Sequence, residues 1–396
     1  MHLAIEGLFW ILAALLAGAA GYLLLLTAAS FRAMPRPRRE AGPAKRFAVM
    51  APAHNEEETI AGLLDSLAGL DYPSSHYSVF VVADNCTDAT AAVARARGAR
   101  VYERADREQR GKGYALRWLL ERIAETGEEY DAFVIFDADS RVDPAFLRVM
   151  DETLAREDEV LQAHYSVLNP GEGIGAAIRF AALALVNYLR PLGKNALGCS
   201  TGLKGNGMCF PAAVIRRHGW AAYSLAEDAE HGVLLLLDGI RTRFVPEACV
   251  WAEMPPGVRE SRSQNLRWEA GRLLVVRKWV PQLLRHAVRH RDLVALEAAI
   301  DLLVPPLSAL VAGTLLLALM ALLPGLGGTW WVPTGIGVAL GGHVLVGLIR
   351  IKAPRSVWRS LLYAPGYCAW KLALYASATA RAPSEWVRTR RFSASR

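Results

Sequence analysis

The sequence predicts an α/β domain held between membrane helices. Three observations predict it. Long uncharged apolar stretches lie toward both ends. Short strand-like runs alternate with helical periodicity between them. Acidic residues gather where those strand-like runs stop.

The 396 residues are 53% hydrophobic, and the mean hydropathy of +0.19 is high for a soluble protein and low for a polytopic one. No residue from 7 to 31 is charged, which is enough for a membrane-spanning helix. His2 and Glu6 precede that core, whereas Arg32, Arg36, Arg38 and Arg39 follow it. A secretory signal carries its positive charge ahead of the core. This stretch therefore reads as an uncleaved anchor (1–31) with its N-terminus outside and the following chain in the cytosol. A basic linker rich in Pro and Arg (32–45) comes next.

Residues 47–52 form the first strand-like run and 56–67 the first helix. Strand 79–84, helix 87–97, strand 100–103, helix 113–123 and strand 133–137 continue the alternation, which argues for a parallel sheet covered on both faces. No G-x-G-x-x-G follows the first strand, against a dinucleotide-binding oxidoreductase. The second apolar block, 302–329, is broken at Pro305-Pro306 and Pro324-Gly325, with its helical heart at 307–323. Trp330-Trp331 marks the far interface, 332–349 returns, and Arg350, Lys352 and Arg355 mark the cytosolic side. Residues 357–380 carry Arg359 and Lys371 and read as an interfacial or re-entrant helix, with a fourth span as the rival. The basic stretch 386–391 suits an anionic leaflet. These clusters flank apolar segments, so the net charge of +7 reflects membrane topology, and no nucleic-acid partner is expected. The five cysteines show no C-x-x-C pairing and read as reduced.

The chemistry begins at residues 134–139, an apolar run ending in Asp137-Ala138-Asp139. Residues i and i+2 of a strand share a side. Two carboxylates placed so repel unless a cation lies between them, and their hard oxygens suit Mg²⁺ or Mn²⁺. The plain alternative is an acidic turn. Asp84 ends an apolar strand where it could accept hydrogen bonds from a nucleobase or ribose. Asn55, Thr87 and Asp143 could each cap a helix, and His54 reads as a local turn residue. Gly111-Lys112-Gly113 either cradles a phosphate or is a surface turn. Glu227, Asp228 and Glu230 are a solvated helix start, or supply a general base to a hydroxyl. On a helix, Gln264, Arg267 and Trp268 share one face. Arg267 could grip a diphosphate and the indole stack on a sugar, unless the pair is only an interfacial anchor.

Read in order, residues 53–57, Asp84, Lys112, Asp137-Ala138-Asp139, Glu227-Asp228 and 264–268 resemble the D, D-x-D, E-D, Q-x-x-R-W series of membrane-embedded family 2 glycosyltransferases. That group includes cellulose, hyaluronan and poly-N-acetylglucosamine synthases. The resemblance covers 46–284 and implies a GT-A fold, a nucleotide-sugar donor (usually UDP-linked), Mg²⁺ or Mn²⁺, and inverting transfer. It implies that Asp84 binds the nucleotide, framed by Ala53 and Glu56. Asp137 and Asp139 would grip the metal and diphosphate beneath Lys112, and Asp228 would be the base. Arg267 would close on the donor, and Gln264 and Trp268 on the acceptor. Residues 205–210 resemble the strand shaping the acceptor site, with Cys209 an acceptor contact. Ala226 departs from the Thr that often precedes the Glu-Asp pair.

On this resemblance 46–255 is the catalytic domain, 256–300 holds interfacial helices with the Q-x-x-R-W motif, 301–350 is a transmembrane hairpin and 351–396 an interfacial segment with a basic tail. Three spans could hardly enclose a polysaccharide tunnel. Either the product is a short or lipid-linked saccharide, or a homo-oligomer or export partner completes the path. Ceramide glucosyltransferase-like enzymes have a comparable layout, so a lipid acceptor stands beside a saccharide one. A nucleotidyltransferase would need the acids but not the Q-x-x-R-W motif, and a membrane scaffold would need neither.

Overall fold

The computed structural model describes residues 2–32, 44–155, 159–257 and 262–380. The expected linker, from residue 33 to 43, and the basic stretch 386–391 lie outside the described residues. The chain opens with α1 (His2–Ser30), β1 (Phe47–Ala53), α2 (Ile60–Ala68), β2 (Tyr77–Asp84), α3 (Thr90–Ala96) and β3 (Arg100–Arg104). Then come α4 (Lys112–Glu125), β4 (Ala132–Ile135), β5 (Ser140–Val142), α5 (Phe146–Leu154), β6 (Val160–Val167) and α6 (Ile174–Ala184). A π-helical turn at Leu185–Leu189 leads to α7 (Arg190–Ala196), β7 (Met208–Pro211), α8 (Ala212–His218), α9 (Glu227–Leu237) and β8 (Thr242–Ala252).

Eight strands form one sheet in the order β3-β2-β1-β4-β7-β6-β8-β5. The expected parallel pairing holds for β3-β2-β1-β4 and again for β6 with β8. β7 runs antiparallel to both β4 and β6, and β5 antiparallel to β8, so the sheet is mixed. The strict β/α alternation that predicted parallel pairing stops at β4, because β5 follows it after a turn with no crossover helix. Strand alternation splits β1 between two cores: Phe47, Val49 and Ala51 pack on one face, Ala48 and Met50 on the other. Chain order reverses between β2 and β4 on either side of β1, and open α/β sheets bind ligands at such a switch point, beyond the carboxyl ends.

Several boundaries differ from the sequence expectation for local reasons. α2 starts at Ile60, because Asn55 is left-handed (φ 55°) and the Glu56 and Glu57 N–H groups donate to Thr90 Oγ1 and Asp88 Oδ2. Thr87 caps no helix; its N–H donates to Asn55 Oδ1 at 2.7 Å, tying the β1 and β2 loops together. Asp143 does serve a turn end, accepting from Ala145 N–H at 2.8 Å just ahead of α5.

The remaining helices are α10 (Arg262–His290), α11 (Leu293–Leu303), α12 (Leu307–Met320), α13 (Trp331–Arg350), α14 (Arg355–Ser360) and α15 (Ala364–Ala380). Among the described residues, two helical stretches, Leu3–Ser30 and Gly327–Arg350, are long and apolar enough to cross a membrane. The expected helical heart of the hairpin's first limb, 307–323, is observed as α12, Leu307–Met320. α12 has 14 residues, about 21 Å of helix against a hydrocarbon core of about 30 Å. It reaches spanning length only as a bent pair with α11, at 67°. The break falls at Val304-Pro305-Pro306, where proline disfavours helix at the residue before it and removes the N–H groups that would continue the turn.

α1 is fastened to the rest by polar contacts as well as by Phe9, Leu16 and Leu23 packing on α12 and α13. Tyr22 Oη donates to Glu297 Oε1 (2.5 Å) and Asp301 Oδ1 (3.1 Å) on α11. Arg190 and Lys194 of α7 pair with the same Asp301, and Lys194 also with Glu297. Buried ions are tolerated when paired in this way.

Candidate active site

Beyond the carboxyl ends of β1, β2 and β4 lies a cavity of about 2200 Å³. Ala53, Glu56, Asp84, Lys112, Asp137 and Asp139 line it, and so do Asp228, Gln264, Arg267 and Trp268. Residues spread over two hundred positions of sequence thus face one space. Cys209 is the exception and its acceptor contact is corrected. It lies in β7 opposite Val134, is completely buried in the apolar core, and does not line the cavity. A small thiol at an inward β position packs as a hydrophobe.

Strand alternation is not what orients the two aspartates. β4 ends at Ile135, Asp137 follows outside the strand and Asp139 sits in a turn before β5. Asn206, completely buried, fixes that turn: its Oδ1 accepts from Asp137 N–H at 3.2 Å, and its Nδ2 donates to Ser140 Oγ at 2.8 Å. Lys112 opens α4, the end of a helix where the dipole disfavours a cation. Its Nζ donates to Asp137 Oδ1 and to the Gly205 carbonyl, both at 2.5 Å, and lies 3.8 Å from Glu227 Oε1. Burial disfavours the ammonium, but Asp137, Glu227 and Asp228 outweigh it and hold its pKa above the ordinary lysine value.

Glu227 and Asp228 occupy the first turn of α9, where the helix dipole favours negative charge. Burial still pushes both carboxyls upward, with repulsion from the neighbouring acids adding to it and Lys112 opposing it. Gly205, at φ +80°, keeps the wall open here. A Cβ at that position would lie 3.1 Å from Asp228 Oδ2 and 3.8 Å from Lys112 Nζ.

Asp84 is not a bare acceptor. β2 and β3 pair so that Asp84 faces Arg104, and Arg104 Nη1 donates to its Oδ1 at 2.6 Å with both side chains buried. Burial raises the Asp84 pKa and the Arg104 pairing counters it. Arg104 Nη2 also donates to Asp106 Oδ2 and to the Gln109 carbonyl, which shapes the loop leading to Lys112. His54 is engaged too, with Nδ1 2.7 Å from the Asp84 carbonyl.

Gln264, Arg267 and Trp268 lie on α10. Gln264 Oε1 is buried with no hydrogen-bond partner among the described residues. One face of Trp268 is covered by the Arg179 guanidinium, 4.6 Å from the ring centroid, and Arg179 Nη2 donates to the buried Asn265 Oδ1 at 2.8 Å. α6 therefore braces the start of α10. Sequence reasoning missed Arg104, Arg179, Asn206 and Asn265. Arg104 was within reach: the predicted strand stopped at Glu103, one residue short of the register that pairs it with Asp84.

Among the described residues no group of three His, Cys, Asp or Glu side chains converges on a metal position. Asp137 and Asp139 nevertheless fit a hard divalent cation that takes its other oxygens from water and a bound phosphate, the usual situation of Mg²⁺ beside nucleotides.

Residues 43–271, more than half of the chain, match the family model described as "Glycosyltransferase like family 2". The chain belongs to that glycosyltransferase family. Within it, the chain is 23% identical over 265 residues to the probable glycosyltransferase YdaM of Bacillus subtilis, covering 64% of this chain and 61% of YdaM. It is 27% identical over 203 residues to the β-monoglucosyldiacylglycerol synthase of a Nostoc species, covering 48% of this chain and 41% of the synthase. The matches thus span less than two thirds of these relatives. Among solved structures, the mannosyltransferase PcManGT of Pyrobaculum calidifontis, in complex with GDP-Man and Mn²⁺, aligns with a TM-score of 0.53 at 20% identity. The alignment covers 85% of this chain and 99% of that one. The fold of this glycosyltransferase is accordingly GT-A-like.

Proposed function

We propose that this chain is an inverting hexosyltransferase anchored in the inner or plasma membrane by α1 and the 301–350 helices, with its catalytic part, 46–255, in the cytosol. It moves a sugar from a nucleotide sugar to an acceptor hydroxyl at the membrane face, in cell-envelope polysaccharide or glycolipid synthesis. The observation that carries this reading is the single cavity into which Asp84, Lys112, Asp137, Asp139, Asp228 and Arg267 all face.

Asp84 and Glu56, beside Ala53, would hold the nucleoside, and Lys112 and Arg267 the diphosphate. Asp137 and Asp139 would hold Mg²⁺ or Mn²⁺, which when bound neutralises diphosphate charge. Asp228 takes the proton of the acceptor hydroxyl as that oxygen attacks the anomeric carbon opposite the nucleotide. The bond from that carbon to the diphosphate breaks, its electron pair leaves with the nucleoside diphosphate, and Lys112 and Arg267 meet the growing negative charge. One displacement needs one base and no enzymic nucleophile. The unpartnered Gln264 carbonyl oxygen is available to an acceptor hydroxyl. UDP is the expected nucleoside diphosphate, and the GDP-Man held by PcManGT places guanosine donors in the test as well.

A lipid acceptor has its own support, because apolar residues such as Ile178, Val311, Leu315 and Leu372 line the same cavity as the acids. The test is release of nucleoside diphosphate by detergent-purified protein given UDP- and GDP-sugars with Mn²⁺. Asp228→Asn should lower kcat by at least about 10²-fold while donor Kd stays within about threefold. Equal loss of binding and turnover would make Asp228 a donor ligand and remove the proposed base.

A further inference from the structure

We infer that the acceptor is an anionic amphiphile, its phosphate-bearing head on Lys204 and its apolar chain leaving the cavity between α12 and α15. This rests on the transferase reading above and names the acceptor class for it.

The cavity lining is mixed: the carboxylates and Lys112 share it with Ile178, Val186, Leu315 and Leu372. Val186, Leu315 and Leu372 are 39%, 61% and 37% exposed, so this wall is open to the outside and not sealed as a core. An opening of that kind, between α15 and an α12 that reaches spanning length only as a bent pair with α11, admits an aliphatic chain from the side.

Among the described residues, several cations of this cavity are already held by partners. Arg190 and Lys194 pair with Asp301, Lys371 pairs with Glu269 at 3.1 Å, and Arg272 donates to the Leu302 and Val304 carbonyls. Lys204 lines the cavity, half-buried, and its ammonium has no salt-bridge or hydrogen-bond partner among the described residues. Its backbone is held firmly. Lys204 N–H donates to Gln162 Oε1 at 2.8 Å, and Gln162, almost fully buried, donates through Nε2 to the Asn206 carbonyl at 2.8 Å. The next residue, Gly205, abuts Asp228. A head group resting on Lys204 therefore has its hydroxyl beside the base. Burial pulls the Lys204 pKa down to about 8, and an anion seated there favours the charged form.

Asp301 and Asp228 act on this lysine only through space; a neutral acceptor leaves its ammonium without a contact partner, whereas a phosphate supplies one. The transfer stays balanced: the hydroxyl proton goes to Asp228, the new bond joins that oxygen to the anomeric carbon, and the nucleoside diphosphate leaves. The phosphate at Lys204 is a handle and takes no part in bond making.

The test uses the full chain in phosphatidylcholine nanodiscs with a radiolabelled panel of UDP- and GDP-sugars. Phosphatidylglycerol, diacylglycerol and soluble glycerol 3-phosphate are offered as separate acceptors. Label is expected in phosphatidylglycerol, at a kcat/KM at least tenfold above the other two. Lys204→Gln should raise the KM for phosphatidylglycerol about tenfold with a smaller change in kcat, and Lys204→Arg should restore it. Equal or better use of diacylglycerol overturns the anionic head. Equal use of glycerol 3-phosphate overturns the tail and leaves only a free-phosphate site. Should Lys204→Gln fail to fold, the wild-type preference among the three acceptors decides by itself. Nucleoside diphosphate release with a neutral acceptor alone would sink this inference and keep the transferase reading; no release with any acceptor would sink both.

Discussion

Asp139 and Asp228 carry the sharpest expectations because each has a separate observable. Asp139 lies in the turn that buried Asn206 pins, so removing its carboxylate should alter the cation site and little else. Asp139→Ala is expected to weaken the Mn²⁺ concentration dependence of donor binding by about tenfold or more. An unchanged manganese titration by calorimetry would count against the D-x-D role. Asp228 gives a pH signature. Burial raises its pKa above that of a free aspartate, so it is protonated, and useless as a base, at pH values where an exposed aspartate is still ionised. Activity should thus rise with pH through an acid limb whose midpoint lies above about 4, and Asp228→Asn should flatten that limb. A midpoint at or below the ordinary aspartate value would remove the burial argument. Most of these acids were legible in the sequence, because each follows an apolar strand or opens a helix. Their partners were not. Arg104 meets Asp84 only through the β2–β3 register, and Arg179 meets Trp268 only because α6 packs beside α10. Cys209 was misread because both faces of β7 are buried, Cys209 against one core and Met208 and Phe210 against the other.

At the scale of elements, the contact between α1 and α7 turns on one missing side chain. A Cβ at Gly193 would lie 2.2 Å from the Leu26 carbonyl oxygen and 2.8 Å from its Cα, so the helices approach backbone to backbone. Gly193→Ala should push α1 away and destabilise by about 1–3 kcal/mol, seen as a fall in Tm of the detergent-solubilised protein. Gly18→Ala, on α1 where nothing lies within 4 Å, should instead be neutral or gain up to about 1 kcal/mol from helix propensity. Equal effects from the two would show that the close approach is not what matters. Strand and helix identities through β4 followed from periodicity and turn residues. The antiparallel β7 and β5 did not, because short apolar runs carry no record of their partners' direction. The bend between α11 and α12 falls at Pro305-Pro306, the interruption already marked in the sequence.

For the molecule as a whole, the apolar clusters and the sheet are joined by a short list of ionic ties. Tyr22, Glu297, Asp301, Arg190 and Lys194 bind α1, α7 and α11 into one buried polar knot. Lys371 of α15 reaches Glu269 of α10. The helix bearing Gln264, Arg267 and Trp268 is thereby attached to the apolar helices at more than one point. The sequence showed that catalytic and apolar segments adjoin; it held no sign that residues a hundred or more positions apart lock them together. The Arg272 guanidinium makes the most consequential of these links, because it grips the two carbonyls that α11 leaves open where the chain breaks before α12. A hinge clasped from α10 cannot swing freely: straightening it would pull on the arginine, and with it on Trp268 one turn back. On the proposed membrane placement, a change in the thickness or tension of the bilayer would thus be felt one helical turn from Trp268.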